Sequence, residues 1–126
     1  MITFKELGEN CLIEQFSGNV DAKEFVLMKK DQLKTTDYFN VRGIVMDLRK
    51  ANVTITKIKL RQFFDWLVRN KAIIENKSIA ILTRTMDQLR FGFQFKDQMT
   101  QHSVAVQIAQ FSSKQEAYIW LNESQK

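Results

Sequence analysis

Short strand-like runs alternate along this chain with segments of helical period, and that alternation constrains the fold more than any other feature. Val41 to Leu48 holds the apolar core Ile44-Val45-Met46, Ser78 to Thr83 is apolar and rich in β-branched residues, and Val104 to Ala109 is a third such run. Continuous apolar runs of this length read as strands buried on both faces of a parallel sheet. Between the first two, Leu60, Phe63, Phe64, Leu67 and Val68 recur at i, i+3, i+4, i+7 and i+8, the stripe of a core-facing helix that runs to about Asn70. Parallel strands need crossovers, and crossovers of this length are helical.

The remaining elements follow from local signals. Ile2 to Leu7 and Cys11 to Ser17 read as an antiparallel pair around the turn Gly8-Glu9-Asn10. Asp21 with Glu24 has the spacing of a capping box, and Val20 and Phe25 take its staple positions, so a helix starts at Asp21 and runs to about Thr35. Thr85 with Gln88 and Ser113 with Glu116 open two more helices in the same way. Phe91-Gly92-Phe93-Gln94-Phe95 alternates like a strand, but the crossover it must supply and the Thr85 cap place it in a helix. The predicted order is β-β-α-β-α-β-α-β-α, an α/β fold with a mixed sheet of about five strands in a single domain over residues 1–126.

Charge and composition narrow the function classes. The net charge is +5, and it is uneven: residues 1–37 hold five Lys against seven acids, whereas residues 38–100 hold twelve Lys or Arg against five. Such an excess suits an anionic partner and also keeps a protein in solution. No Arg-rich run or nucleic-acid motif accompanies it, so nucleic acid is not an expected partner. No apolar stretch approaches the length of a membrane span. The first ten residues resemble neither a signal nor a transit peptide. One cysteine, Cys11, leaves no internal disulfide and fits a reducing compartment, so a cytoplasmic location is expected.

Catalytic signals are absent. His102 and Cys11 are single residues of their types, which argues against structural zinc and against Cys-His chemistry. There is no G-x-S-x-G, P-loop or G-x-G-x-x-G, so no cofactor and no enzymatic activity are expected. Asp47 reads as a structural acid that bonds loop amides or Arg49. Ligands of open α/β sheets collect beyond the carboxyl ends of strands, where helix N-termini present free N–H groups. Arg49, Lys50, Thr54, Thr56, Arg84 and Thr85 fall there and form a candidate anion site, for a small anion or a lipid headgroup.

Ile44-Val45-Met46-Asp47-Leu48, a short loop into a helix, and Ile79-Ala80-Ile81-Leu82-Thr83 resemble the core of the STAS-like (SpoIIAA-like) family. Phe111-Ser112-Ser113 with Glu116-Ala117 and Trp120-Leu121 looks like the end of its small stand-alone bacterial members. The resemblance implies a STAS-like fold and a non-catalytic regulatory or protein-interaction module. The same superfamily includes CRAL-TRIO lipid-binding domains, which implies the alternative of a small anionic ligand or lipid headgroup. Antagonists of this family carry a phosphorylatable residue at the start of the helix after the Asp-Leu strand. The matching position is Thr56, preceded here by Ile55 rather than Asp and followed by Lys57-Ile58-Lys59. Thr56 also reads as the N-cap of that helix, with Ile55 and Leu60 as its staple.

The helix after Thr85 carries two apolar stripes, Met86-Leu89-Phe93 and Phe91-Phe95-Met99. One suffices to cover a sheet. The expectation is that Phe91, Phe95 and Met99, with Trp66 from the preceding helix, form the surface of a homodimer or a docked protein partner.

Overall fold

The computed structural model describes residues 1–53 and 56–124. Five strands, β1 (Ile2–Glu6), β2 (Cys11–Asn19), β3 (Gly43–Asn52), β4 (Ser78–Leu82) and β5 (Gln107–Phe111), form one sheet in chain order. β1 and β2 are an antiparallel hairpin whose register runs from Ile2 opposite Phe16 to Glu6 opposite Leu12. Its turn passes through Gly8 at φ 68°, the left-handed region where a glycine costs least. β2, β3, β4 and β5 are parallel neighbours.

The crossovers are α1 (Ala22–Thr35), α2 (Lys57–Arg69) and α3 (Met86–Gln101), and α4 (Lys114–Ser124) follows β5. The expected element order is the observed one. β3 runs four residues beyond the predicted Leu48, to Asn52, and β5 starts later than predicted, at Gln107. The extension arises because β2 also continues, so that Lys50, Ala51 and Asn52 pair with Ser17, Gly18 and Asn19 past a bulge.

Right-handed crossovers between strands in sequential order place α1, α2 and α3 on one face. Leu12, Phe16, Ile44, Met46, Leu48, Ile79, Ile81 and Ile108 of the sheet pack there against Phe25, Phe63, Phe64, Leu67, Phe95 and Met99 of the helices. The other face carries Ile13, Val45, Ala80 and Leu82, which α4 covers with Ala117 and Leu121. No helix among the described residues is long and apolar enough to cross a membrane.

A charged cluster is buried within the three-helix face. Lys29 of α1 donates to Glu14 Oε2 of β2 at 2.5 Å, and both side chains are almost inaccessible. Gln32 Nε2 donates to the same oxygen at 2.8 Å. The Tyr38 hydroxyl donates to the Ile73 carbonyl, and the Lys29 ammonium lies 5.5 Å from the Tyr38 ring centre. Burial is the largest single influence and opposes the charge on Lys29, but Glu14 and Tyr38 together outweigh it and the net pKa is raised. Lys77 sits 4.5 Å from the centre of the same ring and donates to the carbonyls of Tyr38 and Val41. No anion offsets its burial there, and with the cations Lys29 and Arg42 adding to it, the Lys77 pKa falls to about 8.

Two predictions follow from this cluster. Lys29→Met leaves the Glu14 carboxylate buried without its cation and should cost about 3–5 kcal/mol in urea unfolding. Adding Glu14→Leu should recover part of that loss, because an apolar pair replaces the unpaired charge, while the buried Gln32 amide loses its partners Glu14 and Lys29. The second concerns pH. Between about 8 and the ordinary lysine value of 10.5, unfolded chains hold a proton at Lys77 that the folded protein releases. Stability from this residue is therefore full above that window and is lost as pH falls through about 8. Thermal melts from pH 8 to 10 should show an upward contribution in the native protein that is missing in Lys77→Met.

Candidate functional site

β2 and β3 run parallel, so α1 and α2 start side by side from their carboxyl ends. Asp21 caps α1 by accepting the Glu24 N–H at 2.7 Å, and Thr56 caps α2 by accepting the Lys59 N–H at 3.2 Å. Asn52 donates to Asn19 at 2.8 Å and ties the two strand ends together. Deeper in, the rings of Phe25 and Phe63 meet edge to face at 5.0 Å and join the two helices. Above these rings the first turns stay apart, and a cleft of about 490 Å³ opens between them. Phe16, Met46 and Leu48 of the sheet, Phe25 and Phe63 of the helices and Phe91 of α3 make its apolar walls. Asn19, Asp21, Lys23, Asn52, Lys59 and Gln62 supply its polar groups. Two smaller clefts lie between α2 and α3, of about 230 and 180 Å³.

The expected anion site is not assembled in this way. Arg49 and Lys50 lie within β3 rather than in a loop beyond it. The Arg49 guanidinium is engaged by Asp47, with Nε to Oδ1 at 2.9 Å and Nη2 to Oδ2 at 3.0 Å. Partial burial pushes the Asp47 carboxyl up, but the Arg49 side chain and N–H, with Lys114 nearby, hold it below its ordinary value. Asp47 thus bonds Arg49, one of the partners that the sequence suggested. At the start of α3, the N–H groups of Arg84 and Thr85 donate to Gln88 Oε1 at 2.6 and 3.1 Å. Gln88 also donates to the Ala51 carbonyl, so a buried amide fills the position an anion would take. The Thr85 hydroxyl completes the capping box, and that of Thr56 serves its own helix. Arg84 and Lys50 are exposed, and Thr54 lies outside the described residues.

The expected interface is corrected as well. Phe95 and Met99 are each 1% exposed, and Phe91 packs on the rings of Phe63 and Phe64. Trp66 is half-buried with its ring edge-on to Phe25. The exposed stripe is the other one, with Met86 at 63% and Phe93 at 57%. The buried face of α3 includes Gln88 and Gly92, which read as polar or neutral in sequence and disguised it. Gln88 is buried because it bonds backbone groups, and Gly92 because the side-chain amide of Gln110 from β5 packs against it.

Among the described residues, no group of His, Cys, Asp and Glu is arranged to hold a metal ion. Cys11 is half-buried at the start of β2.

No family model matches the chain, and no curated protein matches its sequence. The structure does match that of an uncharacterized protein of the DUF3478 family from Shewanella loihica PV-4, described as having a SpoIIAA-like fold. The match has a TM-score of 0.64 at 10% identity and covers 96% of this chain and 92% of the other. The fold is SpoIIAA-like. At that identity the SpoIIAA-like match speaks to architecture, and function must be argued from the cleft.

The cleft was not visible in the sequence, because its walls come from residues as far apart as Phe16, Met46 and Phe91. One signal was available. Lys23, Lys57 and Lys59 occupy the first turns of helices, where acids are the favoured residues.

Proposed function

We propose that this SpoIIAA-like domain is a non-catalytic binding module that holds a small, mainly apolar ligand between the first turns of α1 and α2. The cleft of about 490 Å³ carries this reading. Its volume falls within the range of small-molecule sites, and its composition is theirs: apolar and aromatic walls with a few polar groups at the rim. Among its described lining residues there is no serine, cysteine or histidine. Its one acid, Asp21, is engaged in capping α1. These features favour holding a ligand over transforming one.

A blocked cleft tests the proposal. Ala22 lines the cleft and is half-buried at the first position of α1, so Ala22→Phe should fill the opening with little effect on folding. Fluorescence titration with the neutral probe N-phenyl-1-naphthylamine should show saturable binding to the native protein. Losing one side chain's worth of apolar contact, roughly 1.5–3 kcal/mol, should weaken the probe by about tenfold or more in the variant. Equal binding by both proteins would remove the cleft as the site.

A second reading, protein association, has its own observation. Asp87, Arg90, Phe91 and Gln94 of α3 line the clefts toward α2, so Met86 and Phe93 lie on the opposite flank, above the free edge of β5. Two exposed apolar side chains on one flank suit contact with a second copy or another protein. For a homodimer, native mass spectrometry should give the mass of two chains, and Met86→Ser with Phe93→Ser should give a folded monomer. A monomeric native protein at micromolar concentration would rule out the homodimer.

A further inference from the structure

The rim of the cleft carries two lysines at helix starts, and in α2 no first-turn acid balances them, whereas α1 has Asp21 and Glu24. Lys23 is the second residue of α1 and Lys59 the third of α2; both are exposed and both line the cleft. The first turn of a helix carries the positive end of its dipole, so acids stabilise it and lysines oppose it. α2 has no acid in its first turn. Among the described residues neither lysine forms an ion pair; the acids that do are Glu14, Glu24, Asp47 and Asp87, with other partners. Two exposed lysines thus line one apolar opening, and at the start of α2 no acid offsets the helix dipole.

The shape and charge of the site together define a ligand class. Lys23 and Lys59 against Asp21 give the rim one net positive charge, which matches a monoanion better than a phosphate dianion. Below the rim the surface is apolar, from Val20 and Val53 down to Phe16 and Leu48. At about 30 Å³ for each non-hydrogen atom, the cleft has room for on the order of 16 atoms, one medium-length chain and not two. We propose that its ligand is a free single-chain carboxylate, its alkyl chain along the aromatic wall and its carboxylate between Lys23 and Lys59. This inference rests on the cleft being the binding site proposed above.

The test compares three probes of equal chain length, decanoate, decanol and decyltrimethylammonium, by titration calorimetry below their aggregation concentrations. Decanoate should bind one per chain, tighter than decanol, with decyltrimethylammonium weakest. Lys23→Gln with Lys59→Gln should lower decanoate affinity by roughly fivefold, the scale of two partly exposed ion pairs, and leave decanol unchanged. Lys23→Arg with Lys59→Arg should keep the preference for decanoate. If decanol binds the native protein as well as decanoate does, the carboxylate assignment is wrong while the apolar cleft stands. If none of the three binds, both readings fall. If phosphatidylglycerol vesicles bind and free decanoate does not, the site is a membrane contact and the free carboxylate is excluded.

Discussion

A crossover between adjacent parallel strands is right-handed, because a right-twisted strand feeding a helix packs back onto the sheet only that way. In this chain the strands lie in sequential order, so every crossover steps in the same direction. α1, α2 and α3 are therefore confined to one face, and only the segment after β5 remains to cover the other. The two faces differ accordingly. The three-helix face holds most of the aromatic core and a buried Lys29–Glu14 pair. The other has one short helix along β4 and β5, and its open part accommodates the partly exposed Asp47–Arg49 pair.

The same constraint decides where a cleft can form. In doubly wound sheets a crevice opens where successive helices leave to opposite faces. No such reversal occurs among these parallel strands. The crevice instead lies between two helices on the same face, α1 and α2, whose first turns stand apart above the Phe25–Phe63 contact. Phe63 sits at the junction, with Phe64, Phe91 and Phe95 also against it. Packing and opening are thus adjacent parts of one aromatic cluster. Its lower rings bind the helices, and its upper surfaces line the cleft.

Hydrogen bonding explains why the expected anion site is not assembled at the carboxyl ends of β3 and β4. A helix N-terminus offers free N–H groups only while nothing internal accepts from them. Gln88 accepts from two at the start of α3, and Thr85 accepts from a third. Thr56 does the same for α2. Arg49 is likewise turned inward to Asp47. The excess positive charge of residues 38–100 is spread over these elements, and Lys59 from this region and Lys23 from outside it both line the cleft.

The sequence by itself determined the element order, the parallel strands and the helix starts at Asp21, Thr56, Thr85 and Ser113. The helix starts are set by neighbours within a few residues, through period and capping, and the parallel pairing follows from the helical crossovers. The helical state of Phe91 to Phe95 was also legible, since a crossover was needed there. Only the tertiary structure decided which stripe of α3 is buried, because that depends on Gln88 reaching the Ala51 carbonyl and on Gly92 fitting over Gln110. It also decided that Phe16, Met46 and Phe91 share a wall. Local rules report what a segment can form. Which side chains meet is fixed by sheet order and by the way helices dock on it, and those contacts join residues that no short window contains.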